Sequence, residues 1–253
     1  MKVYEMVFSP TGGTQKVVDA LCGGIPAERL RVDLLDRTLA FEDIALEGDG
    51  VAVIAVPSYG GRVPEVAVDR LSRIQARGTR AVLVCVYGNR AYEDTLVELE
   101  DAARQAGFTV VAAVAAVAEH SIVRQYAAGR PDQLDQAQLR EFARQIWEKL
   151  SSGETSLPQL PGNRPYKDRG AGGMVPQPGP DCVQCGRCAQ VCPVGAIHPA
   201  DPRAVDTGKC ISCMRCVKLC PKGVRGVAPQ MLAAVGEKLK PVCSDRKENQ
   251  LFL

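Results

Sequence analysis

Apolar residues along the first 150 positions fall into two kinds of block. Residues 2–8 read as a strand, and 51–56, 81–86 and 109–117 are nearly unbroken apolar runs. Such runs mark strands covered on both faces, as in a parallel sheet. Residues 29–34 mix charged with apolar side chains and predict a weaker strand at the sheet edge. Between the strands, residues 15–21, 65–75, 93–105 and 133–150 repeat apolar positions at helical spacing. The alternation predicts a doubly wound α/β domain over residues 1–150, a five-stranded parallel sheet with helices on both faces.

Beyond residue 150 the pattern dissolves. Prolines and glycines crowd residues 151–180, which predicts a linker over 151–175. The basic run from Arg164 to Arg169 inside it either folds over a bound phosphate or is solvated. Residues 176–228 contain no Phe, Trp or Tyr and cannot build an adequate core alone. Residues 229–253 read as a short helix, 229–240, and a polar tail with no assigned role. The formal net charge of +2 over 253 residues gives no overall bias toward nucleic acid. The longest apolar run, 110–118, is too short to span a bilayer. With no signal-peptide layout at the amino terminus, these features predict a cytoplasmic protein without membrane insertion.

Cysteine changes this picture most. Eight of the eleven cysteines lie between positions 182 and 220, in two C-x2-C-x2-C-x3-C-P runs. The runs also match outside the cysteines at an offset of 28 residues: Arg187 with Arg215, Pro193 with Pro221, Gly195 with Gly223. This duplication predicts approximate two-fold symmetry. The spacing is that of bacterial iron–sulfur ferredoxins, in which the fourth cysteine of each run ligates the other cluster. Cys182, Cys185, Cys188 and Cys220 are therefore assigned to one 4Fe-4S cluster, and Cys210, Cys213, Cys216 and Cys192 to a second. Zinc sites space their pairs differently, and disulfides need an oxidising compartment that nothing here indicates. Clusters would then replace the missing core, coupling metal binding to folding, and exposed clusters predict an anaerobic or microaerobic host. Seven Lys and Arg against three Asp in this segment could guide an acidic partner.

Three loops follow predicted strands, so all three converge beyond the carboxyl end of the sheet, where ligands of such folds bind. Ser9-Pro10-Thr11-Gly12-Gly13-Thr14 combines small hydroxyl residues and glycines before a helix, the recipe for gripping a phosphate. It lacks the P-loop lysine, and no G-x-G-x-x-G is present. The other two are Pro57-Ser58-Tyr59-Gly60-Gly61-Arg62 and Tyr87-Gly88-Asn89-Arg90-Ala91-Tyr92, with Asp94 just beyond.

The first loop resembles the flavodoxin phosphate loop, S/T-x-T-G-x-T, and the other two resemble the loops that sandwich the isoalloxazine ring of FMN. Tyr59 stands where that family commonly has Trp. Together with the cysteine repeat and Gly129-Arg130-Pro131-Asp132, nearly the whole chain resembles ferredoxins fused to an amino-terminal flavodoxin-like domain. The resemblance implies strand order 2-1-3-4-5, FMN, two 4Fe-4S clusters, and electron transfer to a redox partner protein, with FMN as a one-electron/two-electron converter. The alternatives are a flavin reductase of a small molecule and a subunit of a larger redox complex. A homodimer would let the flavin of one chain face the clusters of another.

Flavodoxins place acidic residues around the ring; here Arg62 and Arg90 stand in the ring-side loops, with Glu93 and Asp94 beyond. They either stabilise negative charge on a reduced ring, giving an easily reduced flavin, or hold the loops. Cys22 and Cys85 read as buried thiols, and Cys243 as an unpartnered residue of the tail. His120 reads as a loop hydrogen-bonding residue in preference to a proton donor, and His198 as a surface residue.

Overall fold

The hydrophobic runs of the first 150 residues form the strands that their pattern predicts, and each is followed by a helix that covers it. The computed structural model describes residues 1–156, 159–170 and 173–253. In chain order the elements are β1 (Lys2–Val7), α1 (Gly13–Cys22), β2 (Glu28–Asp33), β3 (Val51–Pro57), α2 (Glu65–Ser72), β4 (Arg80–Tyr87), α3 (Thr95–Gln105), β5 (Thr109–Val117) and α4 (Gln133–Ser152). The first five strands pair in parallel in the order β2-β1-β3-β4-β5. This is the flavodoxin-like order, whose switch point lies between β1 and β3. Side chains alternate between two cores: Met6, Ile54 and Leu83 pack on one face, Val7, Val53 and Val84 on the other. The second core is closed by α1 and α4 through Val17, Leu21, Leu139 and Ile146.

The carboxyl-terminal unit holds β6 (Gln177–Pro178), α5 (Arg187–Val191), α6 (Arg215–Lys218) and β7 (Arg225–Gly226). Its duplication is visible in the backbone. Left-handed residues recur at the 28-residue offset: Gln184 (φ 53°) with Ser212 (φ 52°), Gly186 (φ 75°) with Met214 (φ 60°), and Gly195 with Gly223, both φ 63°. The β6–β7 ladder, Pro178 with Arg225, is matched by the bridge between Ile197 and Val205. Its small apolar centre gathers Ala189, Cys192, Ala196 and Ile197, with Cys188, Cys210 and Cys216 packed against them.

Two segments do more than their composition predicts. The tail after α7 (Pro229–Cys243) ends in β8 (Gln250–Phe252), which pairs antiparallel with β5 and makes the sheet six-stranded. A three-residue strand has too short a pattern to read, yet it caps an edge that would otherwise expose unpaired backbone groups. Buried Asn249 secures it: Oδ1 accepts from the Val117 N–H at 2.9 Å, and Nδ2 donates to Gln138 Oε1 at 2.8 Å. Asn249→Ala leaves that N–H without an acceptor and is expected to cost about 1–3 kcal/mol, read as a lower urea midpoint at unchanged slope. Cys243, expected in a polar tail, is buried at the end of α7 beside Val123 and Tyr126. Tyr126 fixes the helix by donating its hydroxyl to the Gly236 carbonyl at 2.6 Å.

The linker is the second. Residues 157, 158, 171 and 172 lie outside the described residues, but the basic run between them, though largely exposed, is ion-paired along α3 and does not lie on the phosphate loop. Arg164 pairs with Asp101 (2.7 Å) and Glu100 (3.0 Å), Lys167 with Glu93 (2.6 Å), and Arg169 with Glu98 (2.6 Å). The run is a strap along the acidic amino-terminal half of α3. Linker composition conceals this because its partners lie some 70 residues away.

Candidate functional site

At the end of β1 the chain turns through Ser9, Thr11, Gly12, Gly13 and Thr14 into α1. Gly12 takes φ +92°, open only to glycine without strain, and nothing lies within 4 Å of where its Cβ would stand. Ser9 Oγ accepts from the Gln15 N–H at 2.9 Å and folds the loop over the helix start. Among the described residues, the N–H groups of Thr11, Gly12, Gly13 and Thr14 meet no protein acceptor. Four free donors at a helix amino terminus fit a phosphate.

The loop after β3 is a two-glycine hairpin. Tyr59 and Arg62 exchange backbone hydrogen bonds across Gly60 (φ 61°) and Gly61 (φ 87°). Pro57 closes β3, and Ser58 bonds Thr95 Oγ1 at 2.7 Å. The third loop locks onto it, because the Asp94 N–H donates to the Gly61 carbonyl at 3.0 Å. Glu93 takes φ 42°, so α3 starts at Thr95, two residues later than its pattern predicts. Tyr87 and Tyr92 stack edge-on at 5.2 Å, and the Gly88 backbone lies directly beneath the His120 ring.

Several predicted site residues hold the loops. Arg62 forms a fork on Glu98 (2.8 and 2.9 Å) and stacks on Tyr166; Arg90 forms one on Glu93 (3.0 and 2.8 Å). Both charges are answered by carboxylates. The Asp94 carboxylate accepts from the Asn163 and Lys167 backbone N–H groups, anchoring the strap. Asn89 Nδ2 donates to the carbonyls of Cys243 and Asp245, both at 2.8 Å, and Tyr92 donates its hydroxyl to Gln250. These side chains latch the carboxyl-terminal segment. His120 Nδ1 accepts from the Ile122 and Val123 N–H groups, a loop role, and burial lowers its pKa. His198 is exposed. Burial pushes up the thiol pKa of both Cys22, to about 12, and Cys85.

In the second unit, the eight repeat cysteines line two separate cavities. Cys182, Cys185, Cys188 and Cys220 line one. Cys192, Cys210, Cys213 and Cys216 line the other. Each set takes three cysteines from one run and the fourth from the other. Four cysteines in each ring supply the thiolate set that holds a 4Fe-4S cluster. The symmetry extends to the sulfur environment. The Ala196 N–H donates to Cys192 Sγ at 3.3 Å. Against opposing burial, the N–H groups of Val224, Lys222, Arg225 and Gly223 pull the Cys220 thiol below its usual pKa. Burial pushes Cys213 up to about 12 and Cys216 to about 11, so metal loading must displace their protons. Ser212 Oγ, Arg215 Nε, and Arg225 Nε and Nη2 are buried without partners, as donors aimed at an inorganic sulfide core would be. The rings fit 4Fe-4S clusters.

The two units meet through the second ring. Arg70 Nη2 donates to the Pro193 carbonyl at 2.7 Å and Nη1 to that of Leu34, with its guanidinium over Phe41. Ile211 packs on the core under β3 and β4. Burial, and then the neighbouring Cys213, push the Tyr59 hydroxyl well above the usual phenol range. The first ring faces outward, and Cys185 is the one exposed cysteine among the eight. Arg70, Glu98 and the strap carried no local signal, since their partners are distant in sequence.

Residues 181–224 match the family model described as the 4Fe-4S dicluster domain. No curated protein matches the chain in sequence. Solved structures similar to the amino-terminal part include a flavodoxin from the domain Archaea (15% identity, 60% of this chain and 99% of that one, TM-score 0.44). The two-electron reduced flavodoxin of Megasphaera elsdenii is similar at 17% identity (57% and 99% covered, TM-score 0.40). Rubredoxin oxygen:oxidoreductase of Desulfovibrio gigas is similar at 15% identity (60% and 36% covered, TM-score 0.45). Strand order and loop geometry carry the assignment independently of these likenesses. The chain joins a flavodoxin-like α/β unit to a 4Fe-4S ferredoxin-like unit.

Proposed function

We propose that the chain is an electron-transfer protein in which FMN on the first unit and two 4Fe-4S clusters on the second form one path to an external redox partner. FMN supplies exchange between one- and two-electron chemistry, and 4Fe-4S clusters supply single-electron carriers. The four free N–H groups from Thr11 to Thr14 would hold the FMN phosphate, with Tyr59 and the Tyr87–Tyr92 pair beside the ring. The observation that carries the reading is the junction at the inner cysteine ring, where Arg70 donates to the Pro193 carbonyl at 2.7 Å and Ile211, next to Cys210, packs on the core of the first unit. The order is then flavin loops, the inner ring with Cys213, and the outer ring with Cys185.

The outer ring supports a docking role. Val183 is 60% exposed beside Cys185. Arg187, Arg203 and Lys222 stand exposed around it, with no ion pair among the described residues. An apolar centre with a cationic rim suits an acidic redox partner, steered by charge. The path is tested by anaerobic stopped-flow. Reduced holoprotein is mixed with a one-electron oxidant while flavin and cluster absorbance are followed separately. Exchange between them at a rate independent of protein concentration is expected; a rate proportional to it would mean that the transfer occurs only between molecules.

A further inference from the structure

At the one repeat position buried in both halves, the residue changes from apolar to charged. The bridge of Ile197 with Val205 and the ladder pair of Pro178 with Arg225 are equivalent under the duplication, so Arg225 occupies the place of Ile197. Both are buried, Ile197 at 5% and Arg225 at 4% exposure. Ile197 lines the inner ring; Arg225 lines the outer one. Arg187 on the outer ring is exposed and screened, while its counterpart Arg215 on the inner ring is half-buried with one buried unpartnered nitrogen, Nε, against the two of Arg225. Lys222 replaces Val194, but it is exposed, and solvent and salt screen it.

A guanidinium so deeply buried is costly unless negative charge answers it. Among the described residues no carboxylate pairs with Arg225. Its Nη1 donates to the Pro202 carbonyl at 2.9 Å and approaches Cys188 Sγ at 3.4 Å, while Nε and Nη2 have no acceptor. Cys188 is a ligand of the outer ring. Arg225 also acts on Cys216 of the inner ring, through its charge and a side-chain hydrogen bond, although it does not line that cavity. Positive charge and hydrogen bonds to sulfur both favour the reduced form of a cluster.

Resting on the two-cluster reading above, we propose that Arg225 splits the potentials of the two clusters. It makes the outer one the easier to reduce, so that an electron on the path rests next to the docking face. Each cluster takes one electron from an external reductant and passes it on unchanged. The expected preference is at least about tenfold in the exchange equilibrium between clusters, roughly 59 mV for a one-electron couple.

The test is an anaerobic redox titration followed by electron paramagnetic resonance, on full-length holoprotein with iron and sulfide counted in each sample. Cys185→Ala, expected to lose the outer cluster, identifies the inner step. In the wild type the outer cluster is expected to be reduced first. Arg225→Ile, which installs the residue that the symmetric position already accommodates, moves the outer step to more negative potential and brings the two together. Arg225→Lys, keeping charge but losing the fork, falls between and serves alone should the isoleucine variant lose its cluster. Two clusters present in every sample with superimposable titrations would overturn the proposal. So would a shift confined to the inner cluster. A wild type with fewer than two clusters would instead remove the reading beneath it.

Discussion

Cys213→Ala abolishes rapid exchange between flavin and iron–sulfur absorbance while leaving the outer cluster in place. The expectation follows from position: Cys213 belongs to the ring at the junction with the first unit, and it is buried. Losing it removes one ligand from the inner ring, so iron and sulfide per chain should fall by roughly half relative to wild type. The change should also loosen the second unit, whose small apolar centre is built from alanines, one isoleucine and cysteine ligands. Metal binding substitutes there for the burial that a larger core supplies. Limited proteolysis under argon should therefore cut residues 176–228 faster in this variant. Cys85→Ala, a buried thiol far from either ring, serves as the control and should keep both clusters. Wild-type iron content with intact flavin exchange in Cys213→Ala would contradict the assignment.

Glu98→Gln should be the most damaging substitution outside the cysteines. One buried carboxylate receives the Arg62 fork, the Val63 N–H at 2.7 Å and Arg169 Nη2 at 2.6 Å. It thereby ties the hairpin after β3 and the strap to α3. Removing its charge strands Arg62 in a nearly buried setting, and breaking such pairs costs about 3–5 kcal/mol. Arg169 is partly exposed and can recover some hydration, so about 3 kcal/mol is expected. The sole tryptophan, Trp147 on α4, reports unfolding of this unit in urea. The same variant should bind FMN more weakly, because Tyr59 rides on the hairpin that Glu98 fixes. An unchanged midpoint and unchanged flavin affinity would show that the strap and hairpin hold without it.

Legibility in the sequence followed the range of the interactions. The parallel strands could be read because each is buried on both faces and leaves a continuous apolar run. The cysteine rings could be read because three ligands of each come from one tight loop and the duplication supplies the fourth. The loops after β1, β3 and β4 were located correctly at the carboxyl end of the sheet, but the contacts that their side chains make with the rest of the chain could not be read. Arg62, Arg90, Asn89 and Asp94 are polar residues of glycine-rich loops, and nothing local distinguishes a ligand contact from a latch. Apart from Glu93, three residues from Arg90, their partners become neighbours only in the folded chain: Glu98 for Arg62 and the segments at 163–167 and 243–247 for Asp94 and Asn89. The strap shows the same blindness: proline and glycine describe how the chain turns, while its arginines decide where it lies. Strand β8 is too short to carry a period. Arg225 was counted as one of seven cations in its segment, and only the ladder that equates it with Ile197 shows that it is buried.

Anaerobic purification followed by counting iron, acid-labile sulfide and flavin per chain tests the central claim most directly. Two 4Fe-4S clusters and one FMN per chain are expected, with iron lost when the repeat cysteines are replaced. Colourless protein, or zinc in the place of iron, would contradict the account.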